Sequence, residues 1–149
     1  MEYKIPYNTN VRPAFEAIMG AVLLLCGCLI YLLFRSTQIN LYKWCCIIGL
    51  SDVLHDIRER ISTYEVSAFV QYSLPDGLYC VAYILLIDSL WQNNNKAIKN
   101  SLIILIPIIA ICSEFFQYFG VINGTFDLND LLCYIAALVF YYLFNILLS

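Results

Sequence analysis

Four long apolar runs constrain the fold of this chain more than any other feature. They cover about residues 14–34, 74–91, 101–119 and 128–148, and nothing between them is large enough for a soluble domain. Crossing the hydrocarbon layer of a bilayer takes roughly 20 mostly apolar residues in a helix. With 62% hydrophobic and 13% charged residues, the sequence predicts one all-α membrane domain with four transmembrane helices.

The first run raises the question of a signal peptide. It is too long for one, and no small-residue cleavage pattern follows it before Arg35. We therefore interpret it as a retained membrane span.

An amphipathic helical segment is predicted at about residues 39–66, between the first two spans. Its apolar residues recur at helical spacing, and they are Val53, Leu54, Ile57, Ile61 and Tyr64. Asp56 and Arg60 have the i,i+4 spacing of an ion pair. Such a helix is expected to lie on the membrane. The apolar stretch LYKWCCIIGL, residues 41–50 near the start of this segment, is too short for a full span, but the sequence leaves open a short extra one within residues 39–54.

Charges give only a weak preference for orientation. One side of the four-span topology carries Lys4, Arg12, Lys96 and Lys99, and the other carries Arg35, Lys43, Arg58 and Arg60. We favour cytoplasmic N- and C-termini because Lys96 and Lys99 lie in a short loop, where the positive-inside rule is strongest.

Cysteine and histidine do not form a recognisable metal or disulfide pattern. The seven cysteines are odd in number and lie in the spans or at the membrane interface: Cys26, Cys28, Cys45, Cys46, Cys80, Cys112 and Cys133. We interpret them as small apolar side chains. His55, the single histidine, is interpreted as a surface residue close to Asp52 and Glu59.

Ionisable residues inside spans cost free energy and need an explanation. Glu16 and Asp88 lie near the ends of their spans and are predicted to reach the interface. Glu114 lies deeper, three residues before Gln117, so both side chains share one helix face. Pro107 is expected to bend this third helix.

Asp127 and Asp130 have the spacing of a helix N-cap and its N3 position, where carboxylates bind free backbone amides. Capping is therefore one explanation of both residues. The alternative is a ligand site between the third and fourth helices, formed by Glu114, Gln117, Asp127 and Asp130. Asp76, at the start of the second span, would join it from the same side of the membrane.

Such a site would accept a cationic or hydroxyl-rich headgroup, or a divalent cation that binds a lipid phosphate. No other cofactor is predicted. The sequence shows no nucleophile and base near these acids, which disfavours an enzyme.

The motif Glu114-x-x-Gln117, followed by Phe126-Asp127-x-x-Asp130 at the start of an apolar helix, resembles the signature of the VanZ-like family of small membrane proteins. The layout matches over about residues 74–148. Gly124 stands where that family usually has an arginine, and Tyr134 and Ala137 stand where it has asparagine and glycine. The resemblance implies a bacterial inner-membrane protein associated with the cell envelope.

Three functions are consistent with the sequence. The first is a non-enzymatic protein that recognises an envelope lipid or lipid-linked ligand through the acidic patch. The second is an oligomerising subunit, such as a pore, an effector or an anchor for a soluble partner protein. The third is a metal-assisted enzyme acting on a phosphorylated lipid. A nucleic-acid partner is disfavoured by the net charge of −3 and the scattered basic residues.

Overall fold

The structure is a computed structural model that describes residues 11–92 and 95–148, with only the backbone of residues 147 and 148. Lys4, one of the basic residues used to predict orientation, lies outside the described residues. The helices are α1 (Val11–Phe34), α2 (Asn40–Ile47), α3 (Ser51–Ile61), a π-helical turn (Phe69–Ser73), α4 (Leu74–Leu90), α5 (Lys96–Tyr118) and α6 (Leu128–Leu148).

Four helices are long and apolar enough to cross a membrane: α1, the π-helical turn together with α4, α5 and α6. The prediction of an all-α protein with four spans is therefore confirmed. The chain is a small multi-pass integral membrane protein.

Helix α4 lies at the centre of the bundle. In the most apolar 18 residues of its span, 44% of the residues are buried, against 11–17% in the other three spans. The core consists of Cys80, Ile84, Ile103, Ala137 and Tyr141. Large side chains on the outer surface, such as Ile18 and Leu25, are exposed and suited to contact with lipid.

Two glycines let α1 approach α4 closely. A Cβ atom on Gly20 would lie 2.9 Å from Leu86 Cγ, and one on Gly27 would lie 2.9 Å from the Tyr79 ring. Small residues at such contacts let the helices pack closely, and this packing stabilises helix association in lipid, where the hydrophobic driving force is missing.

The second span starts earlier than Pro75 suggests. Pro75 is favourable at the first position of a helix, but here the π-helical turn from Phe69 to Ser73 runs directly into α4. Asp76 therefore does not sit at a free helix N-terminus.

The segment between α1 and α4 contains α2 and α3, joined at Gly49, which has a φ of +85°. Helix α2 has eight residues, which is too short to span a bilayer. Trp44, Ile47 and Ile48 are exposed around this bend, as expected for a segment lying at the membrane surface. The predicted ion pair between Asp56 and Arg60 does not form.

Arg58 joins α3 to the end of α1. Its guanidinium donates hydrogen bonds to the backbone carbonyls of Leu32, at 2.5 Å, and Arg35, at 2.7 Å. The last carbonyls of a helix have no partner within the helix, and a cation there also interacts favourably with the helix dipole. This contact positions α3 at the end of the first span.

Candidate functional site

The third span ends in a glycine cap. Gly120 has a φ of +68°, its N–H donates to the Gln117 carbonyl at 3.0 Å, and the Val121 N–H donates to the Phe116 carbonyl at 2.8 Å. This pattern is a Schellman motif, in which a glycine in the left-handed region ends the helix. The turn then places the start of α6 beside the end of α5.

Asp127 caps α6, as predicted from its spacing. Its Oδ1 accepts a hydrogen bond from the Asn129 N–H at 2.8 Å. Its own backbone N–H donates to Glu114 Oε2 at 3.1 Å. Glu114 is 4% exposed, so its carboxylate links the end of α5 to the first residue before α6.

Asp130 does not complete a capping box. In such a box the N3 carboxylate accepts the hydrogen bond from the N-cap N–H, but Glu114 accepts that bond here. Asp130 Oδ1 is buried and has no hydrogen-bond partner among residues 11–92 and 95–148. The capping explanation therefore holds for Asp127 and is wrong for Asp130, whereas Glu114 has a structural role that its sequence position does not reveal.

Asp76, on α4, lies near the acids of α5 and α6. Asp130 and Glu114 both lie close enough to Asp76 to interact with it electrostatically. Helices α4 and α6 are in close contact beside them, because a Cβ atom on Gly77 would lie 3.0 Å from Cys133 Cβ. We call the end of the bundle formed by Asp76, Glu114, Asp127 and Asp130 the acidic end.

Arg35, at the end of α1, lies next to the acidic end. Its Nη2 is 3.9 Å from Asp76 Oδ2, which is too far for a hydrogen bond. The guanidinium lies over the rings of Tyr31 and Tyr72, 4.8 Å from each centroid. Its Nε is buried without a hydrogen-bond partner.

Gln117 lies on the turn side of the acidic end. A Cβ atom on Gly124 would lie 2.7 Å from Gln117 Cδ, and Gly124 has a φ of +149° that favours glycine. The Gln117 side chain therefore packs against the turn backbone, and an arginine at position 124 would be strained in this conformation.

The acids do not form a compact metal cage. Within residues 11–92 and 95–148, no three His, Cys, Asp or Glu side chains are grouped closely enough to hold one metal ion. The divalent cation predicted from the sequence stays a prediction.

A second group of charges lies at the opposite end of the bundle. Arg12 Nε is 2.7 Å from Glu16 Oε1, and Gln92 donates to Glu16 Oε2 at 2.9 Å. Asp88 pairs with Lys99 and accepts a hydrogen bond from the Tyr141 hydroxyl at 3.0 Å.

This ionic network joins all four spans. Arg12 also lies 3.9 Å from Asp88 and donates a hydrogen bond to Asn145. Glu16 and Asp88 are each 1% exposed. The prediction that they reach the interface is therefore wrong, because other helices cover and pair them.

Sequence reasoning missed Arg35 as a site residue, and it missed the ionic network. The signals were present, because Arg12 and Glu16 have ion-pair spacing and the four-span topology places Arg35 on the same side as Asp76. What the sequence did not give was the packing that brings these side chains together.

His55 is exposed and lines a groove of about 590 Å³ between the end of α1 and α3. Arg58 and Glu59 also line it. None of the acids of the acidic end lines this groove. All seven cysteines are free thiols, of which Cys80 is buried and Cys26 and Cys112 are exposed.

Comparisons of the chain with protein-family models, curated proteins and solved structures found no match. The VanZ-like resemblance stays a prediction, and the side chains at the two ends of the bundle are the available indication of function.

Proposed function

We propose that this integral membrane protein recognises the polar headgroup of an envelope lipid or lipid-linked molecule at its acidic end. The observation that carries the proposal is the convergence of Asp76, Glu114 and Asp130, which come from three different spans. Placing ionisable groups in spans is costly, and such groups usually mark a functional site.

The acidic end differs from the ionic network in how its charges are paired. In the network each carboxylate has a cation from Arg12 or Lys99. At the acidic end, Arg35 is the cation close to Asp76. Asp130 Oδ1 has neither a hydrogen bond nor an ion pair within the described residues, whereas Asp88 Oδ1 of the network is paired with Lys99. Structural pinning explains the network well, whereas the acidic end has charge and hydrogen-bonding capacity left for a ligand.

Lipid co-purification tests this proposal. We expect the wild-type chain, extracted in mild detergent, to retain a lipid that the double variant Glu114→Gln and Asp130→Asn releases. Glutamine keeps an acceptor for the Asp127 N–H, so this variant should still fold.

The matched control is Asp56→Asn with Glu65→Gln, which makes the same two chemical changes at exposed positions. Mass spectrometry of the extracted lipids provides the readout. The proposal fails if the site variant and the control retain the same lipids in the same amounts.

The proposal includes a bacterial inner membrane and cytoplasmic termini, which would put the acidic end on the outer side. The support is the motif resemblance and the loop position of Lys96 and Lys99. The oligomeric subunit and the lipid-phosphate enzyme stay as alternatives. Cross-linking in membranes tests the first, and metal analysis of the purified chain tests the second.

A further inference from the structure

We infer that the ligand of the acidic end is a lipid headgroup that carries both an amine and a phosphate. Its ammonium group would lie beside Asp76, and its phosphate would lie against Arg35. This inference rests on the proposed lipid-binding function and names the headgroup chemistry.

A small pocket, open to the outside of the bundle, adjoins Asp76 between α4, α5 and α6. Its volume is about 190 Å³, and it is lined by Asp76, Tyr79, Cys80, Ile106, Ala110 and Tyr134. Since one water molecule occupies about 30 Å³ of liquid, the pocket has room for a group of roughly six heavy atoms. This is the size of an ethanolamine or choline group.

The lining of this pocket suits an organic ammonium ion. Asp76 supplies a carboxylate, and Tyr79 and Tyr134 supply aromatic rings. Tyr134 also lies within electrostatic range of Asp76, Asp130 and Glu114. Carboxylates and aromatic faces together are the surroundings in which proteins bind amine and quaternary ammonium groups.

Arg35 supplies the complementary group for a phosphate. The rings of Tyr31 and Tyr72 and the Tyr72 carbonyl, 3.3 Å from Nη2, hold the guanidinium in place. Its buried Nε has no partner. A positioned arginine with a free donor is well suited to a phosphate oxygen.

Unpartnered polar atoms support the same ligand. Ser73 is 1% exposed, and its hydroxyl has no hydrogen-bond partner. It lies three residues before Asp76 in a continuous helix, so both share one face. Buried polar atoms are nearly always hydrogen-bonded in proteins. The phosphate of a zwitterionic headgroup would bring an acceptor for Ser73 and Arg35, and an ethanolamine ammonium would in addition bring an N–H donor for Asp130.

The charge balance selects against a purely anionic lipid. Asp76, Glu114 and Asp130 carry three carboxylates, and Arg35 is the cation beside Asp76. A headgroup with a phosphate alone would add negative charge to this surplus, whereas a headgroup that also carries an ammonium group adds no net charge.

Native mass spectrometry of the full chain tests the inference. The protein is incubated with phosphatidylethanolamine, phosphatidylcholine or phosphatidylglycerol of identical acyl chains. We expect phosphatidylethanolamine and phosphatidylcholine each to be retained at least about tenfold more than phosphatidylglycerol. The Asp76→Asn variant should lose most of this preference, and the exposed control Asp56→Asn should keep it.

A second variant covers the case in which Asp76→Asn does not fold. Arg35→Gln, at the end of α1, should weaken retention of both amine lipids. Soluble phosphoethanolamine, added as a competitor, distinguishes headgroup binding alone from binding that also needs the lipid tails.

Two results would overturn the inference: equal or better retention of phosphatidylglycerol, or folded Asp76→Asn and Arg35→Gln variants that behave like the control. If phosphatidylglycerol is retained and the Glu114→Gln and Asp130→Asn variant releases it, lipid binding stands and the headgroup assignment fails. If no lipid responds to that double variant, both proposals fail.

Discussion

Glu114 Oε2 lies 3.1 Å from the backbone nitrogen of Asp127, the position that Asp130 would take in a capping box. Helix α6 thus receives part of its N-terminal hydrogen bonding from α5. Within the described part of the chain, the exchange leaves Asp130 Oδ1 without a hydrogen-bond partner.

The Glu114 contact predicts unequal effects of two substitutions. Glu114→Ala leaves the half-buried Asp127 N–H without its acceptor, and we expect it to lower the free energy of unfolding by about 1–3 kcal/mol. Glu114→Gln keeps a side-chain acceptor and should cost clearly less. Thermal unfolding in one detergent measures both, and equal losses would contradict the role of this hydrogen bond.

The ionic network predicts that Asp88 matters more than its hydrogen-bond donor Tyr141. Asp88→Asn leaves Lys99 without its anion, and we expect a loss of about 3–5 kcal/mol. Tyr141→Phe removes one hydroxyl and should cost about 1–3 kcal/mol. Tyr142→Phe, at the exposed neighbouring residue, should have little effect. Unfolding titrations in mixed micelles provide the comparison, and an effect of Tyr141→Phe as large as that of Asp88→Asn would refute the ranking.

The close contact between Gly124 and Gln117 predicts that a larger residue at position 124 destabilises the protein and that a smaller residue at position 117 restores part of the stability. In Gly124→Ala the new methyl would meet Gln117 at 2.7 Å, in addition to the strained φ of +149°. Gly49→Ala has a φ of +85° with no atom within 4 Å, so it should cost only about 1–2 kcal/mol of backbone strain. We expect Gly124→Ala to be the more destabilising variant in thermal unfolding. Adding Gln117→Ala should recover part of the loss, and no recovery would argue against the clash.

The hydrogen bonds of Arg58 are expected to slow hydrogen exchange in α3. Arg58→Gln removes the cation that binds the Leu32 and Arg35 carbonyls, so hydrogen exchange in α3 should become faster. Arg60→Gln, at an exposed position on the same helix, is the matched control. If both variants exchange alike, the contact does not hold α3 to the end of α1.

The spans could be predicted from sequence because apolar length is a local property of each segment. The start of the second span is different, since Pro75 favours a first helical turn locally while the backbone continues it from a π-helical turn. Asp130 also shows how local sequence misleads. Its spacing from Asp127 fits a capping box, but the Asp127 N–H donates to Glu114 on α5 instead. Tertiary packing determines which of the two carboxylates accepts this hydrogen bond.

The acidic end was predicted in outline, because the topology places Asp76 on the same side as Glu114 and Asp130. The topology places Arg35 on that side as well, but only helix packing brings it next to Asp76, so that prediction does not include it. Glu16 and Asp88 were misplaced for a related reason. Their distance from the span ends suggests the interface, but their burial depends on which helices cover them.

The distribution of partners within the ionic network has a consequence for biogenesis. Glu16 has its cation, Arg12, on the same helix, so α1 can enter the membrane with that carboxylate already paired. The closest partners of Asp88 are Lys99 and Tyr141, which are synthesised later, whereas Arg12, 3.9 Å away in the folded protein, is synthesised earlier. Until the last two spans have been synthesised, Arg12 is therefore the network cation that can offset the cost of Asp88 in the second span.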